Sequence, residues 1–368
     1  MLGNKLLNLL IKKKITFFSG VPDSVLSDFI KLIEEKRGLK HIISSNEGTA
    51  VSTAIGHYLA TKKIPCVYLQ NSGLGNAINP LISIAHEKVY SIPLILIIGW
   101  RGAPGINDEP QHKVKGNITL KLLKLLDINC ISLDNGKNLK LIEKEIGSSI
   151  KDNKSIAILV KKNEMSSNQI KKKINKKLIS RPLFIQKLLN KIPKNYNLIS
   201  TTGYTSRELH QIRSLHNLKK GKDFYMVGGM GHASSVALGV NIAKKKVICL
   251  DGDGSILMHL GSLLANSING NNNFKHILLN NNSHESVGSF KTNVNNINFK
   301  LLIKSLKYKN YFKLNKIEKA DFIIKKFLQS KGPSFLEVII SEGTIKNLSR
   351  PKDLKSIKNK FMKSLKTN

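Results

Sequence analysis

Two groups of residues have types and spacing that point directly to chemistry: Asp251-Gly252-Asp253-Gly254-Ser255 and Asn280-Asn281-Asn282-Ser283. Asp253 offers a carboxylate, the three asparagines 27 to 29 positions later offer carboxamide oxygens, and the glycines leave backbone groups accessible. Hard oxygen donors suit Mg²⁺, and a glycine-rich turn at a helix N-terminus suits a diphosphate. An Asp-Gly pair by itself is also an ordinary turn. The flanking pattern adds to it. Val247 to Leu250 is an apolar run that reads as a buried strand, Ile256, Leu257, Leu260, Leu263 and Leu264 recur at helical spacing, and His276 to Leu279 reads as a second strand. This layout brings the carboxylate and the carboxamides to the C-terminal edge of two parallel strands, where open α/β sheets bind ligands. A plain strand–turn–helix–strand without a ligand is the other reading of the same residues.

The elements that must position these groups follow one alternation. Helical patterns at 2–13, 22–36, 47–60, 75–86, 117–126 and 137–149 are interleaved with apolar runs at 15–19, 41–44, 65–70, 93–99, 129–133 and 156–161. Strands separated by ten- to fifteen-residue helices imply βαβ units and a mainly parallel sheet. A polar, Lys-rich stretch follows, and the alternation then restarts with helices at 182–191, 205–213 and 232–243 and strands at 197–201 and 224–227. A helix at 315–329 and a strand at 334–340 come last. The expectation is an α/β protein of two domains, 1–165 and 181–368, joined by a linker at 166–180.

The totals exclude several classes. A chain of 368 residues with 41% hydrophobic content is long enough for two real cores. The longest apolar run, Ile92 to Trp100, is interrupted by Pro93 and is too short to cross a bilayer, so no membrane role is expected. The first residues place lysines after the apolar stretch, unlike a secretory signal. Cys66, Cys130 and Cys249 lie in separate apolar segments without metal spacing, which reads as reduced thiols in a cytoplasmic protein. The net charge of +36 could serve nucleic-acid binding. Only 6 of the 60 basic residues are Arg, however, and scattered Lys enriched together with Asn and Ile reflects AT-rich codons. No nucleic-acid partner is therefore expected, although the charge would attract anionic substrates.

Further blocks carry a resemblance. Tyr68-Leu69-Gln70-Asn71-Ser72-Gly73-Leu74-Gly75-Asn76, Ile98-Gly99-Trp100-Arg101-Gly102 and Asp108-Glu109-Pro110-Gln111-His112 occur in the first half. Gly228-Gly229-Met230-Gly231-His232-Ala233-Ser234-Ser235, His284-Glu285-Ser286-Val287-Gly288 and Leu348-Ser349-Arg350-Pro351 occur in the second. With the Gly-Asp-Gly and Asn groups, these blocks resemble the phosphonopyruvate decarboxylases in order, from residue 17 to 352. That family belongs to the thiamine diphosphate (ThDP)-dependent decarboxylases, and the sulfopyruvate decarboxylases share most of its blocks. The resemblance implies two ThDP-binding-fold domains, pyrimidine-binding then diphosphate-binding, with no middle domain. It implies decarboxylation of 3-phosphonopyruvate to phosphonoacetaldehyde and CO₂ in phosphonate biosynthesis, or of 3-sulfopyruvate as the alternative. A homodimer or higher homo-oligomer with sites at the subunit interface is also implied.

The same resemblance assigns roles. Glu47, in Ser44-Ser45-Asn46-Glu47-Gly48-Thr49-Ala50, stands where these enzymes place the glutamate that hydrogen-bonds the aminopyrimidine, although a helix dipole alone would favour a carboxylate there. Asp253 and Asn281 would give side-chain oxygens to Mg²⁺ and Ser283 a backbone oxygen, while Asn280 and Asn282 leave the register open; relatives often have Gly at the position of Asn282. Thr202, Gly203, Gly254 and Ser255 would bind the diphosphate. Gly228 would accept from the 4′-amino group and Met230 would prop the cofactor bent, or simply fill core. His112 would protonate intermediates or hold the substrate carboxylate, with a structural loop histidine as the alternative. Arg101, Lys346 and Arg350 would meet the phosphonate, Arg being favoured for its fork. His284 would border the site. Asp23, in Gly20-Val21-Pro22-Asp23-Ser24, would face the same edge or cap a helix.

Overall fold

The computed structural model describes residues 2–165, 178–216 and 222–366. The chain divides into two compact units, Met1–Gln169 with Val287–Phe290 and Ile170–Ser286 with Lys291–Asn368. The first contains α1 (Leu2–Lys12), β1 (Phe17–Gly20), α2 (Ser27–Glu35), β2 (Lys40–Ile43), α3 (Glu47–Thr61) and β3 (Cys66–Gln70). It continues with α4 (Leu74–Pro80), β4 (Ile95–Trp100), α5 (Pro110–Leu125), β5 (Asn129–Ser132), α6 (Leu139–Asp152) and β6 (Ile156–Lys161). The strands form one parallel sheet in the order β2-β1-β3-β4-β6-β5.

The apolar runs explain why this sheet is central. Every residue of β4 is buried, as a strand covered on both faces requires. Successive side chains alternate. Ile95 and Ile97 pack with Phe18, Phe29 and Tyr68, while Leu96 and Ile98 pack with Ala50, Val67 and Leu69. Each such Ile or Leu contributes roughly 1.5–3 kcal/mol by leaving water. On the strand-to-helix side, Asn46 sets where α3 begins: its side chain accepts the Thr49 N–H at 2.9 Å, satisfying an otherwise unpaired helix donor.

The second unit contains β7 (Ile179–Ser180), α7 (Arg181–Lys191), β8 (Asn197–Ser200), α8 (Tyr204–Leu215), β9 (Asp223–Tyr225), α9 (Ala233–Ile242) and β10 (Val247–Gly252). It continues with α10 (Asp253–Met258), α11 (Ser262–Asn269), β11 (Phe274–Asn280), α12 (Phe299–Ser305), β12 (Asn310–Leu314), α13 (Ala320–Gln329), β13 (Ser334–Ser341) and α14 (Leu354–Lys366). Its parallel sheet runs β12-β13-β11-β10-β8-β9, with β7 extending β13. Ile248, Leu250, Ile277 and Leu279 meet Phe184, Leu188 and Phe327 in the larger of its cores.

Several boundaries differ from the sequence reading. Helix α2 begins at Ser27 rather than 22, because Asp23 Oδ2 accepts the Val25 N–H at 3.0 Å and closes a turn first. Helix α5 begins at Pro110 rather than 117, as a proline at the first helical position allows. The single helix expected after Ser255 is two, interrupted at His259 (φ −138°, ψ 55°). Helices α12 and α14 and strand β12 were not expected. Ile179 and Ser180, placed in the 166–180 linker by sequence, form β7; linker residues 166–177 lie outside the described residues.

Candidate active site

In the first unit the chemistry collects on the loops that follow β1, β2, β3 and β4. Glu47 is the first residue of α3 and only 5% exposed. Asn76 Nδ2 donates to its Oε2 at 2.7 Å. Gly73 makes room on the other side, since a Cβ there would lie 2.1 Å from Glu47 Oε1. Burial pushes the Glu47 pKa up and prevails over the Asn76 hydrogen bond, its own backbone N–H and the charge of Lys115. Asp23, 1% exposed, is held by Gln70 Nε2 at 2.5 Å, and Gln70 in turn accepts the Ser72 hydroxyl at 2.7 Å. Burial raises the Asp23 pKa as well, against the Gln70 hydrogen bond and the Arg101 charge.

Arg101, just past β4, is already engaged. Its Nε and Nη2 form a fork onto Asp108 at 2.7 and 2.5 Å, the bidentate geometry that suits guanidinium and carboxylate. Asp108 also accepts the Gly102 and Glu109 backbone N–H groups at 3.0 and 2.9 Å. Burial would raise the Asp108 pKa, but the Arg101 fork and these amides hold it well below the usual range. Loop 101–102 lies directly against α5, where a Cβ on Gly116 would fall 1.7 Å from the Gly102 carbonyl. His112 sits in the first turn of α5, partly buried, and its charge bears on Asp108.

In the second unit Asp253 and Asn281 converge. Ser283 N–H lies 2.8 Å from Asp253 Oδ2 and 3.2 Å from Asn281 Oδ1. Asp253 Oδ2 also accepts the Thr292 hydroxyl at 2.9 Å. Burial lifts the Asp253 pKa to about 6, against the Thr292 and backbone hydrogen bonds. The neighbouring asparagines are occupied otherwise: Asn280 Nδ2 reaches Glu337 and Asn295 at 3.3 and 3.2 Å, and Asn282 holds φ = 55°. Asn tolerates that left-handed conformation, as Gly does. Thr201 donates to Ser255 Oγ at 2.8 Å and the Gly231 N–H to the same oxygen at 3.1 Å. A Cβ on Gly254 would lie 2.6 Å from the His284 ring and 3.2 Å from Met230 Cε, so those two side chains flank the bare glycine. Burial lowers the His284 pKa to about 4, leaving its imidazole neutral at pH 7.

Residues 1–121 match the thiamine pyrophosphate enzyme N-terminal TPP binding domain, and residues 201–338 match the C-terminal TPP binding domain of the same enzymes. The chain is 30% identical over 357 residues to phosphonopyruvate decarboxylase of Streptomyces viridochromogenes, spanning 92% of this chain and 88% of that one. Its identity to phosphonopyruvate decarboxylase of Streptomyces hygroscopicus is 29% over 357 residues, 92% and 87% of the two chains. Sulfopyruvate decarboxylase of Methanosarcina acetivorans is 24% identical over 385 residues, 98% and 97% of the two chains. This chain belongs to the ThDP-dependent decarboxylases. As a member of that family it is a carboxy-lyase with two ThDP-binding domains. Among the described residues no helix is long and apolar enough to cross a membrane.

Within this decarboxylase, Glu47, Asp23, Arg101 and His112 belong to the segments that follow the strands of the first unit's sheet, and Asp253, Asn281, Ser283, Gly254, Ser255, Met230 and His284 to those that follow the strands of the second unit's sheet. Lys346 and Arg350 are exposed in the segment after β13, which α8 holds through Arg207 Nη2 on the Leu348 carbonyl at 2.5 Å and Gln211 on the Ser349 N–H at 3.0 Å. It is the hydroxyl of Thr201, not Thr202, that reaches Ser255; Gly203 follows with φ = 86°. Asn76, Gly73 and Gln70 were not among the expected site residues, although all three lie inside the Tyr68–Asn76 block. Nor were Arg181, Glu208 and Thr292, which no local spacing marks. Cys249, Asp251 and His276 form a further cluster with ligand atoms within 4.8 Å of one another. Its members are 0, 1 and 0% exposed, with the His276 ring beside Phe274 and Phe335 and its Nε2 3.4 Å from Asp251 Oδ2.

Proposed function

We propose that this enzyme decarboxylates 3-phosphonopyruvate to phosphonoacetaldehyde and CO₂, with ThDP anchored by Mg²⁺. The observation that carries the cofactor roles is Glu47, a buried carboxyl whose pKa burial raises and which Asn76 fixes at the N-terminus of α3. The identity to two phosphonopyruvate decarboxylases supports the substrate. The donor set fits the metal: Asp253 and Asn281 bring oxygens to one backbone N–H, and all are hard ligands of the kind Mg²⁺ takes. The buried Ser283 Oγ has no hydrogen-bond partner among the described residues. Gly254, lacking a Cβ between His284 and Met230, fits close approach of a diphosphate to backbone.

When bound, ThDP supplies the carbon nucleophile and the electron sink for the departing CO₂, and Mg²⁺ neutralises its diphosphate. The chain's own residues do the rest. Glu47, whose pKa burial raises, would exchange a proton with a pyrimidine nitrogen. Asn76 and the gap at Gly73 fix which way its carboxyl faces. Asp23, kept protonated more readily by burial, and His112 are the proposed proton-handling groups toward substrate. Arg101 would hold the second anionic group only by sharing or leaving Asp108, with Lys346 and Arg350 as the exposed alternatives. The net charge of +36 draws the anionic keto acid in, an effect that salt weakens. A homodimer is the proposed minimum active unit.

Comparing CO₂ release from phosphonopyruvate and sulfopyruvate at matched concentrations tests the substrate. A higher kcat/KM for sulfopyruvate would transfer the assignment to the sulfonate.

A further inference from the structure

An asparagine can turn either its oxygen or its NH₂ toward a cation site, and only the oxygen can bind. At Asn281 the choice is made on the far side of the carboxamide. Nδ2 donates to Glu285 Oε2 at 2.9 Å, and that oxygen, which also receives Arg181 Nη2, acts as the acceptor. Oδ1 is thereby left facing the Ser283 N–H, beside Asp253.

Glu285 is itself locked. Its Oε1 accepts the Gly343 N–H at 2.6 Å, and its Oε2 is paired with Arg181 Nη2. The other arm of Arg181 meets Glu208 Oε2 at 3.2 Å, and Glu208 Oε1 accepts the Thr344 hydroxyl at 2.7 Å. Arg181, Glu208 and Glu285 are 4, 0 and 8% exposed, and the Tyr204 ring lies 5.6 Å from the guanidinium. A buried charge network of this kind is a poor source of stability but a good source of fixed geometry.

We propose that Glu285 is a positioning residue: it sets the orientation of the Asn281 carboxamide so that oxygen is delivered to the metal, and Arg181 with Glu208 holds Glu285 in register. This rests on the reading of Asp253 and Asn281 as metal ligands. Outer partners of metal ligands typically change affinity by about 10–100-fold.

The test is Mn²⁺ titration of the full-length protein at saturating ThDP, with free Mn²⁺ read by electron paramagnetic resonance. Asp253→Asn checks the underlying reading; unchanged Mn²⁺ affinity there would remove the ligand set and this inference with it. Glu285→Leu should weaken Mn²⁺ by about 10–100-fold. Wild-type affinity in Glu285→Leu, with loss in Asp253→Asn, would overturn the positioning role and leave the ligand reading intact. A pair of volume-conserving changes decides the matter if Glu285→Leu fails to fold. Asn281→Asp sets a carboxylate against Glu285 and should weaken Mn²⁺ despite its added negative charge. Adding Glu285→Gln supplies a donor and should restore the affinity. Failure of that restoration would also overturn the proposal.

Discussion

Replacing Gly73 by alanine isolates the position of one carboxyl group without touching it. Gly73 has φ −84° and ψ −9°, a backbone conformation open to alanine, so the new methyl group brings no local strain. Its Cβ would lie 2.1, 2.4 and 2.5 Å from Oε1, Cδ and Cγ of Glu47. Ordinary contact begins roughly 1 Å farther out, and the carboxyl cannot simply swing away because Asn76 holds its other oxygen at 2.7 Å. Glu47 must therefore shift by about 1 Å, a displacement that can cost about 10²-fold in rate where proton transfer demands alignment. Overpacking of this kind costs about 1–3 kcal/mol of stability. Steady-state CO₂ release at saturating ThDP and thermal unfolding should be measured on the same preparation. We expect kcat to fall about a hundredfold, with the protein still folded and ThDP still bound. Turnover within about twofold of wild type, alongside the expected stability loss, would show that the placement of Glu47 is not what limits the reaction.

Glu47→Gln should lower kcat by about 10²–10⁴-fold while leaving ThDP binding in place, measured by CO₂ release and calorimetry; normal turnover would remove Glu47 from proton handling. Gly254→Ala places a methyl group against His284 and Met230, so calorimetry should show ThDP binding weakened about tenfold or more, and unaltered binding would count against a diphosphate at that turn. His41 is half-buried and hydrogen-bonded to the Tyr68 hydroxyl at 2.7 Å, and burial lowers its pKa to about 4. It is therefore neutral at pH 7, and its 3.9 Å approach to Glu34 is not an ion pair there. A base with a depressed folded-state pKa stabilises fully above its unfolded value near 6.5 and loses that stability as pH falls through 4. Urea unfolding should show up to about 3 kcal/mol of acid-dependent loss over that window, absent in His41→Gln; parallel acid profiles would refute it. Arg213 forks onto Asp223 at 2.8 and 2.8 Å in the second unit, both side chains being buried. Arg213→Ala should cost about 3–5 kcal/mol in the same assay; a loss below about 1 kcal/mol would mean that water or Tyr225 compensates.

What the sequence disclosed was whatever is contiguous or periodic. The apolar runs of β4, β10 and β11 announced strands buried on both faces, and Gly-Asp-Gly and the asparagine run announced a polar edge at their ends. What it concealed was whatever depends on packing. Glu47 and Asn76 are 29 positions apart, and Arg181 and Glu285 are 104 apart, so no local spacing could pair them. The Thr201 hydroxyl's bond to Ser255, 54 positions away, was equally hidden, because nothing local says which residue at a strand end faces a distant loop. Arg101 looked like an available cation, but availability is a property of Asp108, which the fold brings to it. Helix α14 was invisible because its lysines hide a single buried anchor, Phe361, whose ring sits 5.5 Å from that of Phe224.

The opening of the second unit bears on where this polypeptide could be divided. Ile179 and Ser180 pair with Ile340 and Ser341, Ser180 caps α7, and Arg181 is the cation against which Glu285 leans. A two-gene version would have to be severed upstream of residue 178. A break only a few positions later would strip the second piece of an edge strand, a helix start and the counter-charge of Glu285.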